Sequence, residues 1–153
     1  MTPAEIELEG FVARYAEATS AMARLAIARM RADLPQAHVL VYDNYNALAI
    51  GFCAGPKVAG MVFSIAVYPK WVSLFFAQGA RLDDPGQRLK GSGSRIRHIV
   101  LTDIGLLDDP AIRNLMEQAL ALAAPWLGSG EVVIQSISAK QRPRRHENLI
   151  GST

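Results

Sequence analysis

LAIGFCAGPKVAGMVFSIAVYPKWVSLFF, residues 48–76, decides the fold class of this chain. Successive side chains of a β-strand point to opposite faces, so a period of two marks a sheet with two unlike surfaces. Leu48, Ile50 and Phe52 alternate with Ala47, Ala49 and Gly51, and then Met61, Phe63, Ile65 and Val67 alternate with Gly60, Val62, Ser64 and Ala66. Tyr68-Pro69-Lys70 reads as a turn, and Trp71–Phe76 as the next strand. Runs this short, separated by Gly and Pro, predict a meander of antiparallel strands. One face is large (Leu48, Ile50, Phe52, Met61, Phe63, Ile65) and is expected to receive helices. The other is small (Ala47, Ala49, Gly51, Gly60, Ser64, Ala66), carries no charge, and is flanked by Tyr68, Trp71 and Phe75. Such a face is either covered by a loop, a terminus or a second copy of the chain, or left as a shallow groove.

Outward from this stretch the period changes. Thr2-Pro3-Ala4-Glu5 has the pattern of a capped helix start, with Pro at the first helical position and Glu returning to the cap amide. Apolar residues then recur at helical spacing as far as Leu34-Pro35, with Thr19-Ser20 offering a second cap and so a break near residues 18–20. Residues 77–95 are a loop rich in Gly, Asp and Pro, and Ile96–Leu101 is again a strand. Asp109-Pro110 starts a helix whose Ile112, Leu115, Met116, Ala119, Ala123 and Trp126 form one stripe, and Val132–Ile137 is a last strand. The order predicts an α+β fold, an antiparallel sheet with the N-terminal and C-terminal helices packed on one face. Residues 1–139 form one domain in this reading, and 140–153 a basic, disordered tail.

Length and charge narrow the function classes. A chain of 153 residues buries a sizeable core without disulfides or a structural metal. Its single cysteine, Cys53, fits a reducing cytoplasm, and an acidic start with no long apolar run predicts neither a signal peptide nor a membrane span. The chain has 16 Lys and Arg against 14 Asp and Glu; residues 140–153 hold four of the cations and one of the anions, leaving 12 against 13. A nucleic-acid-binding domain usually carries its basic surface on the fold itself, so specific nucleic-acid recognition is not expected.

Three motifs carry candidate chemistry. In KGSGSRIRHI, residues 90–99, Lys90 precedes the glycines and a strand follows them, which excludes a Walker-type phosphate loop. Gly91, Ser92 and Gly93 are still able to turn consecutive amides toward an anion, with Lys90, Arg95 and Arg97 supplying charge and His98 a further polar side chain. A turn that sets the register of the next strand accounts for the same residues. In YDNYN, Tyr42, Asn44 and Tyr45 form either a structural bend or the mouth of a pocket, and Tyr68 with Trp71 supplies a second aromatic pair. The three histidines, His38, His98 and His146, lack metal-ligand spacing. Glu5, Glu7, Glu9 and Glu17 read as a solvated helix face, and the pairs Asp83-Asp84 and Asp108-Asp109, each before Pro, as a turn and a cap. No catalytic set, metal site or cofactor is assigned.

Together VYDNYNALAIGF, FSIAVYPKWVSLFF, LKGSGSRIRHIVL and ISAKQRPRR resemble the YdhG-like family, a bacterial domain of unknown function, over roughly residues 10–145. The resemblance implies a small α+β sheet fold. One branch of that family has been proposed as a frataxin-like iron chaperone, and most members have no assigned activity. The expectation is a cytoplasmic domain that binds a small polar or anionic ligand, or a partner protein, without catalysis. Its site would lie where YDNYN, Tyr68–Trp71 and Lys90–His98 meet, and a homodimer through the small-residue face is a further possible partnership. An iron chaperone, and an enzyme with a catalytic set not evident in the sequence, are the alternatives.

Overall fold

The computed structural model of the chain describes residues 1–145. Two helices, α1 (Pro3–Ala13) and α2 (Glu17–Asp33), lead into β1 (His38–Asp43), β2 (Leu48–Cys53), β3 (Met61–Val67), β4 (Val72–Phe76) and β5 (Arg97–Val100). Helix α3 (Pro110–Leu122) and β6 (Val132–Ile137) follow. The fold is α+β. The sheet order is β5-β4-β3-β2-β1-β6, antiparallel throughout except that β6 lies parallel to β1. The sheet is antiparallel as expected but for this one pair, which makes it mixed. The reason is topological: α3 carries the chain from the β5 edge to the opposite edge, and a crossover of that kind returns the strand parallel to its neighbour.

Local chemistry explains the helix ends. Thr2 and Glu5 form a reciprocal capping box, Thr2 N–H donating to Glu5 Oε1 at 2.8 Å and Glu5 N–H to Thr2 Oγ1 at 3.1 Å. Asp109 caps α3 by accepting from Ala111 N–H at 2.9 Å, with Pro110 at the first helical position. The break between the first two helices falls after Ala13, earlier than the Thr19-Ser20 pair suggests. Thr19 and Ser20 instead lie buried inside α2, where Thr19 donates to Pro69 O and Ser20 to Glu17 O.

The core lies between the helices and the large face of the sheet. Val12, Met30, Ile112 and Met116 pack there with Val39, Val41, Leu48, Ile50, Phe52, Phe63, Ile65, Leu74 and Phe76. Phe63 and Phe76 meet edge to face, centroids 5.5 Å apart. Strand β1 was not anticipated as a strand: HVLVYD lies between the helix stop and the polar bend, with only four apolar residues in a row to signal it. One residue changes faces. A bulge between Phe52 and Cys53 pairs Cys53 with Met61 and leaves Val62 extra, so Met61 turns to the small face. There it lies over Gly51, where an added Cβ would sit 2.5 Å from Met61 Cε. Among the described residues no helix is long and apolar enough to cross a membrane.

Candidate functional site

Two hairpin tips share one end of the sheet. The β1–β2 bend is closed by Asn44 N–H donating to Ala47 O at 3.0 Å, with Tyr45 and Asn46 exposed at its tip. The β3–β4 turn is closed by Tyr68 N–H donating to Trp71 O at 2.9 Å, which brings the Tyr68 and Trp71 rings into a stack with centroids 4.7 Å apart and planes 20° apart. Between the tips the small face forms a groove of about 1000 Å³. Its floor is Ala47, Ala49, Ser64 and Ala66, whose short side chains make room, and Phe75 closes one end. Tyr45 and Trp71 are 45% and 44% exposed, large aromatic surfaces left to solvent on opposite rims. Lys70 and Arg142 also line it, and among its lining residues there is no carboxylate, histidine or cysteine. The Arg142 guanidinium lies over the Tyr45 ring, 5.5 Å from its centroid. Burial pushes the Tyr68 hydroxyl pKa up, so this hydroxyl stays protonated and neutral beside Lys70.

Arg142 reaches the groove because residues 140–145 are docked, and the expected free tail is corrected for them. They contain no helix or strand, yet Arg144 is only 5% exposed. Its guanidinium donates to Asp43 Oδ1 at 2.9 Å, to Tyr45 O at 3.2 Å and to Asn44 O. Asp43, at the end of β1, is fully buried, and Arg14 Nη2 also donates to both of its carboxylate oxygens, at 2.8 and 3.0 Å. Gln141 joins Asp43 O to Arg14, and Arg142 N–H donates to Tyr45 O at 2.9 Å. A buried carboxylate needs such partners, since a lone charge loses its hydration without compensation. Beneath the cluster, Tyr15 donates to Val67 O at 2.9 Å and accepts from Leu48 N–H. Burial raises the Tyr15 pKa, and the nearby Arg144 charge opposes that rise. The rest of the expected tail, residues 146–153 with His146 and Glu147, lies outside the described residues.

The expected site residues separate into two groups. Asn44, Tyr45, Tyr68 and Trp71 line the groove. Tyr42 lies on the same sheet face, paired with Ala49 and Ser136, but outside the groove lining. Lys90, Ser92, Gly93, Arg97 and His98 do not line it either. Lys90 and His98 exchange backbone hydrogen bonds at 2.8 and 2.9 Å, closing the loop as a hairpin. Arg97 donates to Gly93 O at 2.6 Å and to Ile96 O at 2.8 Å, so the loop turns carbonyls toward its cation. His98 stacks on Phe75, centroids 4.9 Å apart. Gly91, at φ +125°, needs to be glycine, whereas Gly93 has open space around it and no positive φ.

Lys70, Asn46 and Phe75 line the groove without having been singled out as site residues, although Asn46 and Lys70 lie in the two expected bends and Phe75 was expected to flank the small face; Arg142 is the fourth. The hairpin signal at Pro69-Lys70 pointed to the first; nothing in the local sequence pointed to Arg142. Among the described residues no three His, Cys, Asp or Glu side chains gather as a metal-ligand group. Glu9 pairs with Arg24, Asp108 with Arg29, and Asp84 accepts from Arg88 and Leu89 amides. No family model matches the chain, and neither the curated proteins nor the solved structures include a match to it.

Proposed function

We propose that the groove binds a small molecule with a flat apolar body and an anionic group, without catalysis by the protein. The observation that carries this reading is the pairing of exposed aromatic rims with Lys70 and Arg142 over a floor of small side chains, in a lining free of carboxylates. Flat rings stack on Trp71 or Tyr45 with little loss of side-chain entropy, and a guanidinium offers paired donors to a carboxylate, sulfonate or phosphate. Ser64 has no histidine or carboxylate beside it in the groove to act as a general base, which favours binding over acyl transfer. The resemblance to the YdhG-like family, and a cytoplasmic setting, belong to this proposal and rest on the sequence motifs.

Calorimetric titration with 1-naphthoate and with its neutral methanol analogue tests the reading. Naphthoate should bind and the neutral analogue should bind at least about tenfold more weakly, the loss of one charge-assisted contact. Trp71→Ala and Arg142→Ala should each weaken naphthoate to a similar degree. Equal binding of both compounds, or of naphthoate to all three proteins, removes the groove from consideration. A second copy of the chain is the competing occupant, and a dimer in sedimentation that Trp71→Ala dissolves would assign the face to it.

A further inference from the structure

Beside the groove lies a second, shallow cavity of about 380 Å³, lined by Arg14, Gln141, Arg142, Pro143, Arg144 and Arg145. Arg142 lines both. Four guanidinium groups surround this cavity, and among the described residues the one carboxylate paired with any of them is Asp43, shared by Arg14 and Arg144. The group therefore carries a net positive charge, and among the described residues Arg142 and Arg145 have no carboxylate partner. Two further features mark the cavity as more than a solvated run of arginines. Arg144 is 95% buried, and its Nε has no hydrogen-bond partner among the described residues, so one buried donor is left unsatisfied beside the cavity. The cluster is also held in place, because Arg145 Nε donates to Arg14 O at 3.2 Å and Arg142 N–H to Tyr45 O.

Taking the groove as a ligand site, we propose that the arginine cavity is its phosphate subsite. The ligand class is then a nucleoside diphosphate or a molecule of like design, its flat ring in the aromatic groove and its phosphates against Arg142, Arg145 and Arg14. The chemistry matches at both ends. Planar guanidinium groups recognise phosphate through paired donors, and exposed aromatic faces accept any nucleobase by stacking. Arg142, over Tyr45 and between the two cavities, sits where ring and first phosphate would join.

The test titrates the full chain with adenosine, pyrophosphate, ADP and an eight-residue oligothymidylate, without divalent cations, beside the naphthoate titration above. Pyrophosphate should bind wild type and weaken at least about tenfold in Arg142→Ala/Arg145→Ala, two exposed positions whose replacement leaves the backbone contacts in place. ADP should bind about 100-fold more tightly than adenosine, and Trp71→Ala should weaken ADP while leaving pyrophosphate unchanged. Thermal midpoints of the variants check that they fold, and Arg145→Ala alone gives a milder version of the same loss. Naphthoate binding without any pyrophosphate binding would leave the groove reading intact and overturn the phosphate subsite. Pyrophosphate binding that the double variant does not weaken, or ADP no tighter than pyrophosphate, overturns the joined site. Oligothymidylate binding more tightly than ADP would assign the surface to an extended single strand and overturn it also.

Discussion

Residues 90–98 and residues 140–145 are both short, basic and without helix or regular strand over most of their length, and they serve opposite ends. In the first, the cation is consumed locally: Arg97 donates to two carbonyls of its own loop, and the loop stays exposed at the sheet edge. In the second, Arg144 reaches a buried carboxylate on a distant strand and draws its whole segment onto the fold. What a basic stretch does depends less on its charge than on whether an acceptor is waiting within reach. Asp43 is that acceptor, and its desolvation makes the difference. A charge partner in water contributes little, while a partner to a buried ion contributes several times more.

Removing Asp43 should break the contrast most completely. Asp43→Ala leaves Arg144 buried with no carboxylate and should lower unfolding free energy by about 3–5 kcal/mol. Urea denaturation measures this, and a midpoint within error of wild type would mean that the cluster is water-filled and carries no weight. Arg144→Ala comes next, at about 2–3 kcal/mol, because Asp43 retains Arg14 while three donor contacts vanish. Hydrogen exchange at the Arg142 and Ser138 amides, which donate to Tyr45 O and Asp43 O, should rise in both variants before global unfolding.

The basic loop should respond on a smaller scale and for a different reason. Gly91→Ala forces a Cβ into a positive-φ position and against Ile96 O, a strain of about 1–3 kcal/mol, whereas Gly93→Ala should fall within about 0.5 kcal/mol of wild type. Equal effects at the two glycines would show that the loop lacks the fixed conformation described. Smallest is the helix cap outside both regions. Its backbone bond to Thr2, then the Arg31 ion pair, hold the Glu5 pKa near 2 instead of 4.5. A depressed carboxylate pKa means stability present above about 4.5 and lost as pH falls toward about 2. The difference in thermal midpoint between wild type and Glu5→Gln should therefore shrink over that interval, and a constant difference would exclude the link.

The sheet was legible because side-chain alternation is a local, period-two signal, strongest where both neighbours are also strands. Its weak points are equally physical. Met61 was placed on the large face because alternation counts residues, and a bulge adds one without any mark in the composition. Strand β1 was missed because it is buried on both sides over Val39–Val41, which removes alternation altogether. At the site, the two hairpin tips were readable from Asn, Tyr and Pro at turn positions. That KGSGSRIRHI faces elsewhere was not readable, since hairpins on different strands share an end of the sheet only through the strand order.

By itself the sequence determined where the first and last helices start, most of the side chains that line the core, and that one sheet face would be small and uncharged. Those properties follow from capping chemistry and from the periods of helix and strand, all of which act within a few residues. Only the tertiary structure decided that β6 enters parallel beside β1, that the segment after it is held by Asp43, and that Arg142 thereby stands over Tyr45. Each of those depends on which distant groups burial leaves without water. A buried carboxylate takes whichever cation the topology brings to it, and no local pattern encodes that choice.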